Sequence, residues 1–220
     1  LLSWTDSITP EYVTGWEQPP AGPQPVFVVG FPRSGTTLLG HVLDCNSHLV
    51  TIDEENRLLK PAKDICLQAP DFPGSIATLS ATEITNCLQN YWDVAQNRVT
   101  IDLEQQYLLD KYPLNIIFLP LIYRLFPSAK ILLALRDPRD ACLSAFMQDF
   151  AINSAMANFL SMDTTVALNR KVHTLYQRYS TLLPLQVLTV RYEDMVADMT
   201  TTTKAICDFI GVEWQEQMLN

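Results

Sequence analysis

Residues Val26–Thr37 combine an apolar run with a glycine-flanked loop of a kind that can bind phosphate. Val26–Val29 is continuously apolar, as is typical of a buried strand. Gly30 and Gly35 then have the spacing of the nucleotide-binding loop Gly-x-x-x-x-Gly-Lys-Ser/Thr. The backbone N–H groups of such a loop form an anion site with the N-terminus of the next helix, which we predict over about Thr36–Asn46. The spacing therefore predicts a phosphate-like ligand.

The basic residue of this loop stands outside the usual position. Thr36 occupies the place of the nucleotide-binding lysine, and the cation has moved forward to Arg33. ATP is therefore not the expected ligand. An isolated pair of glycines can also be a plain strand-to-helix turn, but apolar residues on both sides of the loop, including Leu39 and Leu43 at helical spacing, favour the phosphate site. Pro32 requires the helix to begin after it.

A second strand end carries residues that can bind an anion. The apolar run Lys130–Leu135 is followed by Arg136, and Ser144 lies in the helix that we predict next. A guanidinium can bind a phosphate through two parallel hydrogen bonds, and a serine hydroxyl adds another donor. Considered alone, this segment is better explained as a surface ion-pair cluster between arginines and neighbouring aspartates such as Asp137.

Together the two motifs resemble those of a known family. Phe31–Thr37 resembles the 5′-phosphosulfate loop of the sulfotransferases that use 3′-phosphoadenosine 5′-phosphosulfate, and Arg136 with Ser144 resembles their 3′-phosphate motif. Because the motifs occur in the family's order, the resemblance favours the anion site over the ion-pair cluster. Asp110–Asn115 and Glu54–Arg57 further resemble the tyrosylprotein sulfotransferases and, more closely, bacterial sulfotransferase domains attached to tetratricopeptide repeats.

The resemblance extends roughly from Pro25 to the end of the chain. We therefore expect residues 26–220 to form the sulfotransferase domain. Residues 1–25 are expected to be a linker or a lead-in to a missing N-terminal region, for which the resemblance suggests tetratricopeptide repeats. In the family a C-terminal loop closes over the nucleotide, so the domain is expected to be truncated at its C-terminus. The implied fold class is α/β, a P-loop-type parallel sheet flanked by helices.

The pattern of apolar runs supports that fold independently. Strands that alternate with helices need crossover connections and hence a parallel sheet, and ligand sites lie at the carboxyl edge of such a sheet. Both anion motifs follow predicted strands. We predict strands at Val26–Val29, Tyr107–Asp110, Lys130–Leu135 and Gln186–Val190, and helices at Thr36–Asn46, from Asp53–Glu55 toward Lys60, and at Thr82–Gln96, Leu114–Phe126, Arg139–Asp149, Val166–Leu182 and Thr201–Ile210, the last ended by Gly211.

The resemblance implies transfer of a sulfonate from 3′-phosphoadenosine 5′-phosphosulfate to a hydroxyl acceptor, either a peptide tyrosine or a small molecule. Arg33 would lie over the transferring group, and Lys111, otherwise a typical solvated turn residue before Tyr112, would neutralise the leaving oxygen. Gln148 replaces a further arginine of the tyrosylprotein enzymes, which predicts a weaker hold on the 3′-phosphate. Tyr192 would lie beside the nucleotide or, equally, be a core residue at a strand end. The donor-binding residues implied are Arg33, Ser34, Gly35, Thr36, Thr37, Arg136, Ser144 and Tyr192.

The general base implied by the resemblance is Glu55. The tyrosylprotein enzymes have the motif Glu-Glu-Thr-Arg, so Glu55 matches their catalytic glutamate and Asn56 replaces the threonine. A carboxylate in a partly dry cleft can have its pKa raised toward neutrality and accept a proton from an alcohol or phenol. Two alternatives stay open: the base is Glu54, or the acidic run is a solvated first turn of a helix, favoured there by the helix dipole.

The composition limits the partners of the chain. It has 24 acidic and 15 basic residues and a formal net charge of −9, whereas a nucleic-acid-binding surface needs clustered lysine and arginine, so no nucleic-acid partner is expected. The 5 cysteines are dispersed without a Cys-x-x-Cys pair and the 3 histidines lack metal-ligand spacing, so neither a disulfide framework nor a metal site is expected. No stretch is apolar and long enough to span a bilayer. The dispersed cysteines indicate thiols in a reducing compartment, so we expect a cytoplasmic protein, with a signal or anchor in a missing N-terminal region as the alternative.

Two other functions stay open on the sequence alone. A P-loop kinase-like phosphoryl transferase would use the same loop, but its lysine position holds Thr36, and Arg136 interrupts the run that would present a magnesium-binding aspartate. A non-catalytic nucleotide-binding module would bind the donor without turnover. Dependence on magnesium distinguishes the first from sulfonate transfer, and turnover distinguishes the second. No feature of the sequence indicates an oligomeric state.

Overall fold

The centre of the computed structural model, which describes residues 13, 16, 19–53, 59–68, 74–150 and 156–219, is a sheet of five parallel strands. The strands are β1 Val26–Gly30, β2 Leu49–Asp53, β3 Tyr107–Lys111, β4 Lys130–Leu135 and β5 Gln186–Arg191. They lie in the order β2-β3-β1-β4-β5. All of β1 is buried, as expected of a strand that helices cover on both faces. The predicted α/β fold with a parallel sheet is confirmed.

Among the described strands, only β2 is absent from the sequence prediction. β2 is an edge strand of the sheet, and only two of its residues, Leu49 and Ile52, are fully buried. Its sequence therefore has no continuous apolar run. The expectation that Asp53 begins a helix is wrong, because Asp53 ends β2 and lies in register with Lys111 at the end of β3. The next residues, 54–58, lie outside the described residues. The edge strand thus places an aspartate beside the predicted catalytic lysine.

Helices connect the strands, and most of their bounds differ from the prediction by only a few residues. The predicted helix Leu114–Phe126 is instead a 3₁₀-helix followed by an α-helix, because Pro120 has no N–H to continue the hydrogen-bond pattern across the junction. The short helix Tyr192–Ala197 was not predicted. None of the described helices is long and apolar enough to cross a membrane. The α-helices that lie wholly within the described ranges are α1 Thr36–Asp44, α2 Lys60–Gln68, α3 Ala81–Gln96, α4 Leu119–Leu125, α5 Pro138–Phe146, α6 Met162–Leu182, α7 Tyr192–Ala197 and α8 Met199–Ile210, and the 3₁₀-helices there are Gly74–Ile76, Pro113–Phe118, Met156–Leu160 and Glu216–Leu219.

Two apolar cores lie on opposite faces of the sheet, and β1 contributes to both. Phe27 and Val29 face the larger core, whereas Val26 and Val28 face the smaller one, as the two-residue period of a strand requires. In the larger core the ring of Phe27 packs against Tyr91 of α3, with 6.3 Å between the centroids. Residues of α1 and α8 cover the smaller core. Burial on both faces holds β1 at the centre of the sheet, so its following loop lies at the middle of the carboxyl edge.

The carboxyl edge of the sheet brings the predicted functional segments together. Gly30 at the end of β1 lies in register with Ala134 of β4, two residues before Arg136. A Cβ atom on Gly30 would lie 2.5 Å from the backbone oxygen of Ala134, so a larger residue would push these strands apart. The two anion motifs therefore leave adjacent strands at the same edge.

Candidate active site

The loop after β1 contains two residues in the left-handed region of backbone conformation. Arg33 has a φ of 70° and Gly35 a φ of 88°. Glycine adopts this conformation freely, whereas an arginine loses on the order of 1 kcal/mol. The backbone N–H of Ser34 donates to Phe31 O at 3.2 Å, and that of Leu39 donates to Gly35 O at 3.0 Å. Strain of this kind concentrates at functional sites, and here it falls on the arginine of the phosphate loop.

The first turn of α1 offers hydrogen-bond donors to a ligand. Gly35 is the N-cap residue, and no side chain among the described residues caps this helix end. The first N–H groups of a helix have no partner within the helix and carry the positive end of its dipole. Thr37 is exposed, and Thr36 is buried. This geometry suits the anion predicted at the loop.

The two anion motifs, far apart in the sequence, contact each other directly. Arg136 donates from Nη1 to the backbone oxygen of Arg33 at 3.2 Å. Arg33 in turn donates from Nε to Oγ of Ser144 at 3.1 Å. The loop, the residue after β4 and the last turn of α5 therefore form one site. Two guanidinium groups and a hydroxyl at such distances make this site basic and rich in donors.

The ion-pair interpretation of the second motif holds for its other residues. Arg139, with a side chain 88% exposed, donates from Nη2 to Asp137 Oδ2 at 2.6 Å. Hydrogen bonds from Arg139 hold the pKa of Asp137 well below its usual range. Asp137 also caps α5 by accepting from the backbone N–H of Arg139 at 2.9 Å. Arg136 contacts the phosphate loop instead.

Tyr192 connects the phosphate loop to Arg136. A Cβ atom on Gly35 would lie 2.5 Å from Cδ2 of Tyr192, so the ring lies directly against the glycine. The guanidinium carbon of Arg136 lies 4.6 Å from the centroid of the same ring, a cation–π contact. Tyr192 is half-buried and also packs against the smaller core. The core contact is thus observed, and the position of Tyr192 beside the nucleotide stays a prediction.

Lys111 is buried at the end of β3. Its side chain is 2% exposed, and its Nζ lies 3.0 Å from Oδ1 of Asp53, whose side chain is 51% exposed. The stem of the lysine passes Gly40 of α1, where a Cβ atom would lie 3.6 Å from Lys111 Cε. Tyr112 is extended, with φ −136° and ψ 101°, as predicted for a residue before proline. The interpretation of Lys111 as a solvated turn residue is wrong.

A buried polar cluster lies on the opposite face of β3. Asp110 accepts hydrogen bonds from the Tyr91 hydroxyl at 3.1 Å and from Asn115 Nδ2 at 3.3 Å, and Lys63 of α2 donates to Asn115 Oδ1 at 2.8 Å. Burial raises the pKa of Asp110 to about 7 and lowers that of Lys63 to about 8, each against the attraction of the other charge. Sequence reasoning missed this cluster. The available signal was an aspartate at a core-facing position of an apolar strand.

The predicted base falls outside the described residues. Glu55 and its alternative Glu54 both belong to residues 54–58, and Glu55 stays a prediction. Within the described part of the chain, no group of three or more His, Cys, Asp or Glu residues could hold a metal ion. Asp53, two residues before the predicted base, lies at the end of β2 beside Lys111.

The fold and the site define a class of protein, a parallel α/β protein with a phosphate loop after its central strand and an arginine after the neighbouring one. The model of the sulfotransferase family matches residues 25–216 of the chain. The chain therefore belongs to the sulfotransferase family. The family resemblance seen in the motifs is thereby confirmed.

The relatives with curated names are distant. Protein-tyrosine sulfotransferase 2 of Gallus gallus is 27% identical over 202 residues, which are 89% of this chain and 53% of that protein. An uncharacterized protein of Aquifex aeolicus is 24% identical over 204 residues, 89% of this chain and 26% of that protein. The chain thus spans about a quarter to a half of the length of these relatives.

Solved structures share the fold. The sulfotransferase domain of the Synechococcus PCC 7002 olefin synthase has a TM-score of 0.60 at 23% identity, covering 94% of this chain and 80% of that domain. A mouse sulfotransferase in complex with PAP has a TM-score of 0.54 at 17% identity, covering 97% of this chain and 68% of that protein. At these identities the likeness establishes the fold alone.

Proposed function

We propose that this chain carries the catalytic domain of an enzyme that transfers a sulfonate group from 3′-phosphoadenosine 5′-phosphosulfate to a hydroxyl group. The observation that supports it most directly is the pair of contacts that join Arg33 to Ser144 and Arg136 to Arg33. A donor with phosphates at its 5′ and 3′ positions needs two neighbouring anion sites, and the two motifs supply them side by side. Membership of the sulfotransferase family supports the same reaction.

In this proposal the phosphate loop binds the 5′ end of the donor. The backbone N–H groups of Ser34–Thr37 and the hydroxyls of Thr36 and Thr37 hold the 5′-phosphate at the positive end of the α1 dipole. Arg33 lies against the sulfonate. The positive φ of Arg33 supports this role, because backbone strain of this kind is characteristic of residues at functional sites.

The 3′ end of the donor is assigned to the second motif. Arg136 binds the 3′-phosphate with its guanidinium, and Ser144 adds a hydroxyl donor. Tyr192, which touches both Gly35 and Arg136, lies beside the nucleotide. These contacts would distinguish the donor from ATP and ADP, which have no phosphate at the 3′ position.

The reaction forms a bond between the acceptor oxygen and sulfur and breaks the bond between sulfur and the bridging oxygen of the 5′-phosphate. The acceptor proton passes to Glu55, and the leaving 3′-phosphoadenosine 5′-phosphate keeps the electron pair of the broken bond. Lys111 stabilises the charge that grows on the bridging oxygen, which lowers the barrier more than it strengthens binding. Its burial and its ion pair with Asp53 support this role by limiting the positions open to the ammonium.

The acceptor is a hydroxyl-bearing peptide or small molecule. A peptide tyrosine is the first acceptor to test, because the 27% identical relative from Gallus gallus is named a protein-tyrosine sulfotransferase. We place the reaction in the cytoplasm. The free thiols of the described cysteines support a reducing compartment: Cys45, Cys87, Cys142 and Cys207.

Calorimetry with 3′-phosphoadenosine 5′-phosphate and with ADP tests the proposal. We expect much tighter binding of the first nucleotide, without a requirement for magnesium. Arg136→Ala should cost about 2 to 4 kcal/mol of that binding, as for a charged hydrogen-bond partner of a phosphate. Arg139→Ala is the matched control, because Arg139 is largely exposed and bonded to Asp137, and it should bind like the wild type.

Equal affinity for the two nucleotides, or binding that requires magnesium, would contradict sulfonate transfer and favour phosphoryl transfer. A loss in Arg136→Ala no larger than that in Arg139→Ala would show that Arg136 does not read the 3′-phosphate. Tight and selective binding without transfer of labelled sulfonate to any acceptor of a hydroxyl panel, peptide tyrosine included, would favour a non-catalytic nucleotide-binding module.

A further inference from the structure

The backbone next to Arg136 is held by an acidic residue that the proposed reaction does not use. The N–H of Asp137 donates to Oε1 of Glu193 at 2.8 Å. This hydrogen bond is the largest cause of a lowered pKa at Glu193. The other oxygen, Oε2, is shielded from solvent and has no hydrogen-bond partner among the described residues. Glu193 therefore fastens the first turn of α7 to the residue that follows Arg136.

Arg136 is held by α7 from a second side. Its guanidinium lies 4.6 Å from the ring centroid of Tyr192, the residue directly before Glu193. The ring lies against Gly35, and Nη1 of Arg136 reaches the backbone oxygen of Arg33 at 3.2 Å. The Nε of Arg136 is buried and has no partner among the described residues. Two consecutive residues of α7 thus determine where Arg136 sits: Tyr192 contacts its side chain, and Glu193 holds its backbone.

The charge of Glu193 alone would work against an anion site. A carboxylate close to a bound phosphate is repelled by it, so removal of a carboxylate acting through charge alone should strengthen anion binding. A carboxylate that acts through its hydrogen bond has the opposite effect, because its loss lets the arginine move away from the productive position. The sign of the change therefore separates the two possibilities.

We propose that Glu193 is a positioning residue that sets the selectivity of the site for a 3′-phosphate by fixing Arg136 through the Asp137 N–H. The inference rests on the proposed function, in which Arg136 binds that phosphate. It goes further in making selectivity depend on a residue that does not touch the nucleotide. The relevant quantity is the ratio of the affinities for 3′-phosphoadenosine 5′-phosphate and AMP, which differ only in the 3′-phosphate.

Three variants at neighbouring positions test this by calorimetry with both nucleotides. Glu193→Asp keeps the charge but is one methylene too short to maintain the 2.8 Å bond, and we expect about a tenfold fall in the affinity ratio with AMP binding changed less than about twofold. Glu193→Gln keeps the length and an acceptor oxygen without the charge, and should retain the wild-type ratio within about threefold. Asp194→Asn is the matched control, because Asp194 is 70% exposed and faces Arg191 at 3.8 Å, and it should leave the ratio unchanged.

The outcomes separate this inference from the proposed function. A wild-type chain that binds both nucleotides equally overturns the proposed function, and the inference with it. A selective wild type with an unchanged ratio in Glu193→Asp overturns only the inference. A ratio that changes in Glu193→Gln but not in Glu193→Asp would show that charge and not position matters, which overturns the inference. Equal losses of affinity for both nucleotides would show a general disturbance of the site and would overturn it as well. Thermal unfolding of each variant verifies that the domain as a whole stays folded.

Discussion

Asp110 and Lys111 are neighbours on β3, yet their side chains lie on opposite faces of the sheet and in different surroundings. The Lys111 ammonium, buried along its stem, meets Asp53 at 3.0 Å where the carboxylate is half exposed. Asp110 is enclosed with Tyr91 and Asn115. Burial raises the pKa of Asp110 to about 7. The same strand thus directs one charge to the site edge and encloses another in the core.

This difference separates two roles within the segment Asp110–Asn115. At the edge of the sheet, solvent reaches Asp53, the partner of the Lys111 ammonium. A ligand can therefore replace Asp53 as that partner at a moderate cost in free energy. An enclosed charge cannot exchange partners in this way, and its hydrogen bonds hold the backbone on either side of Lys111 through Asp110 and Asn115. We infer that Lys111 serves the chemistry, whereas Asp110 serves the position of the segment.

Removal of Lys111 should have the largest effect. Lys111→Ala is expected to lower turnover by roughly two to three orders of magnitude while the affinity for 3′-phosphoadenosine 5′-phosphate stays within about tenfold, because in the proposed mechanism the lysine acts on charge that develops in the transition state. Steady-state kinetics and calorimetry measure the two quantities. Lys171→Ala, at an exposed position of α6, is the control and should change neither. A parallel loss of turnover and affinity would instead make Lys111 a binding residue.

The predicted general base, Glu55, follows Asp53 by two residues in the sequence. Glu55→Gln keeps the size of the side chain and removes its basicity, so turnover should fall on the order of a hundredfold or more while donor binding survives. The pH dependence of kcat in both Glu55→Gln and Glu54→Gln identifies the base. If Glu54→Gln causes the loss, the base is one residue earlier. If neither does, the acceptor is deprotonated by another group.

The enclosed side of the comparison can be tested through stability. The pKa of Asp110 is raised from 3.8 to about 7 on folding. Between these values the folded chain binds more protons than the unfolded chain, so this carboxyl makes the free energy of unfolding fall as the pH rises from about 4 to about 7. A pKa difference of one corresponds to about 1.4 kcal/mol, and we expect a fall of at least about that size, absent in Asp110→Asn.

Urea unfolding across this pH range measures the effect. Asp53→Asn is the matched control, because its carboxylate is half exposed, and it should keep most of the wild-type slope. A wild-type slope that persists in Asp110→Asn would show that the enclosed carboxyl does not titrate in this range. The inferred contrast between Asp110 and its neighbour would then be wrong.

The part of the site that could be predicted from sequence is the part built from strand ends. Gly30 and Gly35 have their spacing because a loop that presents backbone N–H groups needs it, and Arg136 follows an apolar run that could only be a strand. Parallel strands bring their carboxyl ends together, so the convergence of both motifs followed without knowledge of the contact between Arg33 and Ser144.

The part that could not be predicted depends on register and on contacts between distant elements. Asp53 lies beside Lys111 only because the edge strand β2 pairs with β3 in the register that places these two residues opposite each other. β2 has no apolar run from which it could be predicted. The bond from Asp137 to Glu193 joins residues more than fifty positions apart. No local sequence pattern predicts either contact.

The smallest effect is expected from Gln148→Arg, which adds a positive charge at an exposed position. Gln148 lies just beyond α5 and is exposed, and an arginine there would lose little hydration. This contrasts with Lys63, whose burial lowers its pKa to about 8. Gln148→Arg should raise the affinity for 3′-phosphoadenosine 5′-phosphate by about two- to fivefold, consistent with the energy of an exposed ion pair, and leave AMP unchanged.

The gain should disappear at high salt, because an exposed pair is screened, and calorimetry at two ionic strengths measures this. Gln148→Lys is the matched control, since it adds the same charge without the planar fork that binds phosphate in a bidentate manner, and should gain less. An equal gain for AMP would mean that the new charge attracts any anion. Position 148 lies beyond the C-terminal end of α5. No gain at all would mean that a side chain at this position does not reach the 3′-phosphate.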